Sequence, residues 1–158
     1  MKIPPITISG QAFIGEDLAL LPVDMVIENG IITAIEESST IIPRWICPAF
    51  FNAHTHLGDT IAMDCGVQGD LESLVTPPDG LKHRLLAAAS HQDLIRGMHV
   101  SIQEMIAGGT AGCADFREGG KEGLSALYKA SEGLSFKPFI FGRGGGDYSA
   151  GGRGITSP

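Results

Sequence analysis

Three apolar runs separated by stretches of helical periodicity restrict this chain to few architectures. Ile46–Phe51, Thr110–Phe116 and Phe136–Phe141 read as strands that are apolar nearly throughout rather than alternating. Strands of that kind are covered on both faces, as in parallel sheets. Leu81–Ala89 is a short helical stretch. A longer one follows, with Leu94, Met98, Ile102 and Met105 forming a stripe and Ile95 and Ile106 beside it. Ser90 is its expected N-cap, and Asp93 supplies an acidic variant of the capping box. Gly108-Gly109 ends it, because the left-handed position after a helix favours glycine. Gly123–Gly133 reads as a further helix, with Leu124, Leu127, Tyr128 and Leu134 at helical spacing. The resulting βαβαβ order predicts an α/β fold, either a parallel sheet or the start of a barrel.

The region before Ile46 is β-rich. Ile6-Thr7-Ile8 reads as a short strand ending at Ser9-Gly10. Val23–Glu28 and Ile31–Glu36 flank Asn29-Gly30, a strong signal for a type I′ hairpin turn. The chain therefore divides into a small β segment (residues 1–45), the strands and helices of residues 46–143, and a glycine-rich irregular tail (residues 144–158). Residues 58–80 read as a loop, and long loops in compact domains usually serve function.

His54-Thr55-His56 carries the sharpest chemical signal. Residues two apart on a strand share a face. If the apolar strand reaches this far, both imidazoles stand side by side at its end. Neutral imidazole is the commonest protein ligand for a transition metal, so the pair reads as half of a metal site. His83, His91 and His99 read as surface or helix-packing residues.

With 18 acidic against 11 basic residues the net charge is −7. That argues against binding the phosphate backbone of a nucleic acid, which requires a basic patch. Lys82-His83-Arg84 is the one small basic cluster and reads as a solvated helix face. No apolar run approaches the roughly 18 residues of a membrane span. Met1-Lys2-Ile3-Pro4-Pro5 lacks the apolar core of a signal peptide. Cys47, Cys65 and Cys113 are odd in number and far apart, which suggests reduced, mostly buried thiols and a cytoplasmic protein.

A small β segment with an Asn-Gly hairpin, followed by Cys47-Pro48-Ala49-Phe50-Phe51-Asn52-Ala53-His54-Thr55-His56-Leu57-Gly58-Asp59, resembles the amidohydrolase superfamily. Its cytosine deaminase and chlorohydrolase-related branch is the most similar. Pro78-Asp79-Gly80-Leu81-Lys82-His83-Arg84 and the stretch Gly109–Glu118 extend the resemblance, which covers roughly residues 6 to 143. It implies the N-terminal part of a (β/α)8 TIM-like barrel preceded by a small β-sandwich segment. It also implies a hydrolase of non-peptide carbon–nitrogen bonds, deaminase-like, acting on a small-molecule substrate. His54 and His56 would then be ligands of a divalent metal, zinc or iron, at the end of the first barrel strand. Asn52 stands where many members carry aspartate. The family's later metal ligands have no counterpart among the remaining histidines, and a full barrel takes about 250 residues. The chain is therefore expected to be an N-terminal fragment, inactive alone, because two imidazoles leave a tetrahedral ion short of protein ligands. The alternative is a non-catalytic truncated form that self-associates as a homo-oligomer or binds a partner through open strand edges.

Asp115, Arg117 and Glu118 follow the second strand and Arg143 the third. In a barrel these positions face the active-site mouth. Arg117, Glu118 or Arg143 would contact substrate, an arginine holding an anionic group through its planar donor fork; otherwise they form strand-end ion pairs. Asp59 and Asp115 would support the histidine loop by hydrogen bonds, or Asp59 simply forms a turn.

Overall fold

A computed structural model describes residues 4–63, 65–66 and 68–142. It divides into two compact units, Met1–Pro48 and Ala49–Pro158. Arg143 and the glycine-rich stretch 144–158 lie outside the described residues.

The first unit is one four-stranded sheet in the order β3-β2-β1-β4, formed by β1 (Ile6–Ile14), β2 (Ala19–Glu28), β3 (Ile31–Glu37) and β4 (Trp45–Ile46). β1 to β3 run antiparallel, while β4 joins β1 in parallel. Asn29 and Gly30 both take positive φ, at 51° and 78°, as a type I′ turn requires. Ala12, Val23 and Met25 form a small core, with Ile14, Ile27 and Ile46 packed against it. The expected stop at Ser9-Gly10 is not found, because β1 runs on to Ile14. Gly10 permits close approach rather than a turn: a Cβ there would stand 2.7 Å from the Arg44 carbonyl oxygen.

The apolar run Ile46–Phe51 is not one strand. It splits at Cys47-Pro48-Ala49, with Ile46 pairing in the first unit and Phe50 opening β5 (Phe50–Thr55) of the second. Pro48 offers no N–H to a ladder, so the run breaks there.

The second unit has a three-stranded parallel sheet in the order β5-β6-β7, with β6 at Thr110–Arg117 and β7 at Lys137–Gly142. The stretch after β5 is less irregular than expected. It holds a 3₁₀ segment, Leu57–Ala62, and a short helix α1, Leu71–Val75. Then come α2 (Leu81–Ala88), α3 (His91–Ala107) and, between β6 and β7, α4 (Gly120–Ser131). Ser90 Oγ accepts from the Asp93 N–H at 3.1 Å, so the cap forms. The reciprocal arm differs from a capping box: the Asp93 carboxylate accepts from the Ser90 hydroxyl at 2.6 Å.

The main core lies between α3, α4 and one face of this sheet. Met98, Ile102, Cys113, Leu127, Ala126 and Ala130 are all but inaccessible, and Leu94, Ile95, Met105 and Ile106 pack around them. The predicted stripe of α3 is therefore the buried one. In α4 the buried face is Ala126, Leu127 and Ala130, whereas Tyr128 is 57% exposed. Of the three cysteines only Cys113 is buried, and Cys47 and Cys65 are exposed. Burial pushes the Cys113 thiol pKa up, so it stays neutral in the core. Among the described residues, no helix is long and apolar enough to cross a membrane.

Leu127 and Tyr128 provide a direct check on the rotation of α4. Leu127→Ala should cost about 3 kcal/mol by leaving a core cavity, while Tyr128→Ala should change stability by less than about 0.5 kcal/mol. Urea unfolding of the two variants measures the difference.

Candidate functional site

Parallel pairing brings the C-terminal ends of β5, β6 and β7 to one edge of the sheet, the usual place for ligand sites in α/β folds. His54 lies near the end of β5 and His56 just beyond it. Their Nε2 atoms approach to 3.2 Å. The His54 N–H donates to Asn52 Oδ1 at 3.2 Å, so Asn52 helps hold the strand end. Phe116 lies against both imidazoles, with its centroid 4.6 Å from that of His54 and 6.0 Å from that of His56. Phe141 stacks on Phe116 at 5.1 Å. His54, His56, Phe116, Glu118 and Phe141 line a hollow of ≈ 260 Å³.

The loop that carries His56 is held from behind by Asp115. This side chain is fully buried. Its Oδ2 accepts from the Leu57 N–H at 2.6 Å and from the Thr55 hydroxyl at 3.0 Å. One carboxylate oxygen thus grips the residues on both sides of His56. Its other oxygen, Oδ1, lacks a hydrogen bond and faces Arg117 Nη1 at 3.7 Å.

Arg117 is itself only 4% exposed. Its guanidinium donates to Glu118 Oε2 at 3.1 Å and to the Met98 sulfur at 3.5 Å. It lies directly on Gly58, where a Cβ would collide with it. Glu118 Oε1 accepts from Lys82 Nζ at 3.2 Å, and Lys82 Nζ pairs with Asp59 Oδ2 at 2.8 Å. Burial opposes ionisation of Glu118, but the positive charges of Lys82 and Arg117 and its hydrogen bonds outweigh burial and hold its carboxyl below the usual range. Burial likewise opposes the charge on Lys82, yet Asp59 and Glu118 raise its pKa. Both groups are therefore ionised near neutral pH. The second face of Glu118 borders a larger cavity, ≈ 320 Å³, bounded by α2, α3 and α4.

The sequence pattern of the amidohydrolase family matches residues 45–146. The chain belongs to the amidohydrolase family. A protein of Methanothermobacter thermautotrophicus, named as a candidate aminohydrolase, is 36% identical over 142 residues, which cover 85% of this chain and 37% of that protein. A protein of Archaeoglobus fulgidus with the same name is 38% identical over 112 residues, covering 70% of this chain and 32% of the relative. The chain thus spans about a third of the length of the curated relatives it matches. Among solved structures, the atrazine chlorohydrolase of Arthrobacter aurescens TC1 in complex with zinc has a TM-score of 0.59 at 17% identity, covering 85% of this chain and 35% of the other. An adenosine deaminase from Xanthomonas campestris with bound zinc has a TM-score of 0.53 at 18% identity, covering 82% and 32% respectively. Those likenesses are of fold.

In this amidohydrolase chain the structure gathers His54, His56, Asp115, Arg117 and Glu118 at one sheet edge, with Asp59 linked to them through Lys82. Among the described residues, no group of three or more His, Cys, Asp or Glu side chains converges on a metal-sized space. His83 bonds the Val75 carbonyl and His99 the Ala130 carbonyl, so His83 ties α2 to α1 and His99 ties α3 to α4. Lys82 and Phe116 were not legible as site residues. Lys82 sits in a short basic run that looks solvated, yet its side chain is only 16% exposed. Its partners, Asp59 and Glu118, are remote in sequence. Phe116 looked like one more apolar strand residue, and only its strand parity separates it from the core face.

Asp115→Ala should strip both hydrogen bonds from the histidine loop and remove the more deeply buried of the two carboxylates beside Arg117. The expected loss is roughly 3 kcal/mol or more, with a smaller loss for Asp115→Asn, which keeps one acceptor. Chemical denaturation of both variants, with the His54 and His56 ring resonances followed by NMR, checks the coupling.

Proposed function

We propose that this chain is the part of a metal-dependent amidohydrolase that supplies the first two metal ligands, His54 and His56. The enzyme would hydrolyse a non-peptide carbon–nitrogen bond of a small molecule, in a deaminase-like reaction that releases ammonia. On this reading β5, β6 and β7 are the first three strands of a (β/α)8 barrel, the first unit contributes to a small β-sandwich, and the chain is an N-terminal portion that is inactive alone. The observation that carries the reading is the approach of two imidazole Nε2 atoms to 3.2 Å at the C-terminal edge of a parallel sheet.

The donor set fits a divalent transition metal of the zinc or iron type. Two nitrogens that neither the backbone nor a carboxylate engages face one another, and imidazole is a preferred ligand for such ions. When bound, the ion would acidify a water enough for it to act as a nucleophile near neutral pH. The chain's own groups would do the rest. Asp115 holds the loop, Phe116 packs against the His54 ring, and Phe116 and Phe141 give the hollow one apolar wall.

Titration of the chain with zinc should show binding that falls by at least about tenfold in His54→Ala and in His56→Ala. Equal affinity in the double variant would remove the metal reading. Ammonia release from amino-substituted heterocycles by a longer protein containing this chain tests the deaminase-like chemistry.

A second reading, self-association, is favoured by the open face of the sheet, where Phe51, Phe116, Phe139 and Phe141 are all more than a third exposed. Sedimentation equilibrium distinguishes it. A strictly monomeric chain with Phe139→Ser leaving its behaviour unchanged would exclude association through this face.

A further inference from the structure

The two ring nitrogens of His56 meet different surroundings. Nε2 faces His54 Nε2 at 3.2 Å. Nδ1 is buried without a hydrogen bond, and Glu118 Oε1 stands 3.4 Å from it. That is about 0.2 Å beyond the usual N–H···O range.

Glu118 is fixed in place and in charge. Lys82 donates to Oε1 at 3.2 Å and Arg117 to Oε2 at 3.1 Å. Lys82 is in turn tied to Asp59 at 2.8 Å, and Arg117 is wedged between Met98 and Gly58. With both oxygens facing cations, this carboxylate accepts hydrogen bonds and has no proton to give. A neutral imidazole beside it is stabilised with its proton on Nδ1, which leaves the lone pair on Nε2.

We propose that Glu118 is a positioning residue that sets the tautomer and ring orientation of His56, presenting Nε2 as an unprotonated donor on the side of His54. Carboxylates that hold the remote nitrogen of a ligating histidine serve the same purpose in metal sites generally. The proposal deepens the metal reading and rests on it for its consequence. Its direct observable, the position of one proton, does not require the metal. Lys82 and Arg117 act through Glu118: their donors hold its two carboxylate oxygens in place.

Long-range ¹H–¹⁵N spectroscopy of the metal-free chain, at a pH above imidazole titration, reads the tautomer directly. The His56 resonances are assigned from His56→Asn. The expected result is a protonated Nδ1 and an unprotonated Nε2 in the natural chain. Glu118→Ala should shift the proton towards Nε2, and Glu118→Gln, whose amide oxygen still accepts, should retain most of the original tautomer. A natural chain with its proton on Nε2 overturns the proposal, as does a folded Glu118→Ala with an unchanged tautomer. Backbone amide spectra establish folding; should Glu118→Ala fail to fold, the natural chain and Glu118→Gln still decide. Competition for zinc against a chromophoric chelator supplies the second arm. Glu118→Ala should weaken binding about tenfold and Glu118→Gln by less. No binding above the His54→Ala/His56→Ala background would remove the metal reading, and the tautomer would then decide the role of Glu118 by itself. Equal zinc affinity in the natural chain and Glu118→Ala would overturn its consequence for ligation.

Discussion

The candidate site depends on one buried carboxylate. Asp115 Oδ2 takes the Leu57 N–H and the Thr55 hydroxyl, so the strand that carries it fixes the loop that carries His56. Without that grip, the chain leaving β5 would have to satisfy a buried N–H elsewhere, and such groups are costly when left unpaired. The parallel register of β5 and β6, with Thr55 opposite Asp115, places the acceptor at the right height. The histidine pair is thus held by long-range sheet pairing as much as by its own strand.

The two faces of β6 divide the labour. Cys113, Asp115 and Arg117 point to the helices, where Cys113 joins the core and the two charged residues form an enclosed pair. Phe116 points the other way, onto the histidines. Alternation along a single strand therefore connects the packed interior to the open hollow. Gly58 belongs to the same arrangement. Only a residue without a Cβ leaves room for the Arg117 guanidinium, which in turn reaches Glu118.

Much of the fold was legible because its signals are local. The stripe of α3, its Ser90 cap, the Asn29-Gly30 turn and the order of strands and helices all follow from periodicity and backbone preference. The signals that misled were also local. Gly10 looked like a strand end, although it serves a close backbone approach. Ile46–Phe51 looked like one strand, although Pro48 divides it between two units. Tyr128 fell on the helical spacing of its neighbours, although α4 buries its alanines instead. In each case the deciding factor was which other element lay against the residue.

The sequence by itself determined the family, the βαβαβ order and the presence of two histidines with shared strand parity. Those properties are written in residue type and spacing, which act over a few positions. Only the tertiary structure decided what stands behind the histidines. Asp59, Lys82 and the pair Asp115 and Glu118 come from three separate stretches of the chain, and their charges matter because parallel sheet pairing and helix packing bring them together away from water. Arg117 shows the difference most plainly: as a sequence symbol it is equally a substrate contact or an ion-pair partner. Its burial against Gly58, with donors directed to Glu118 and Met98, is a property of the folded chain alone.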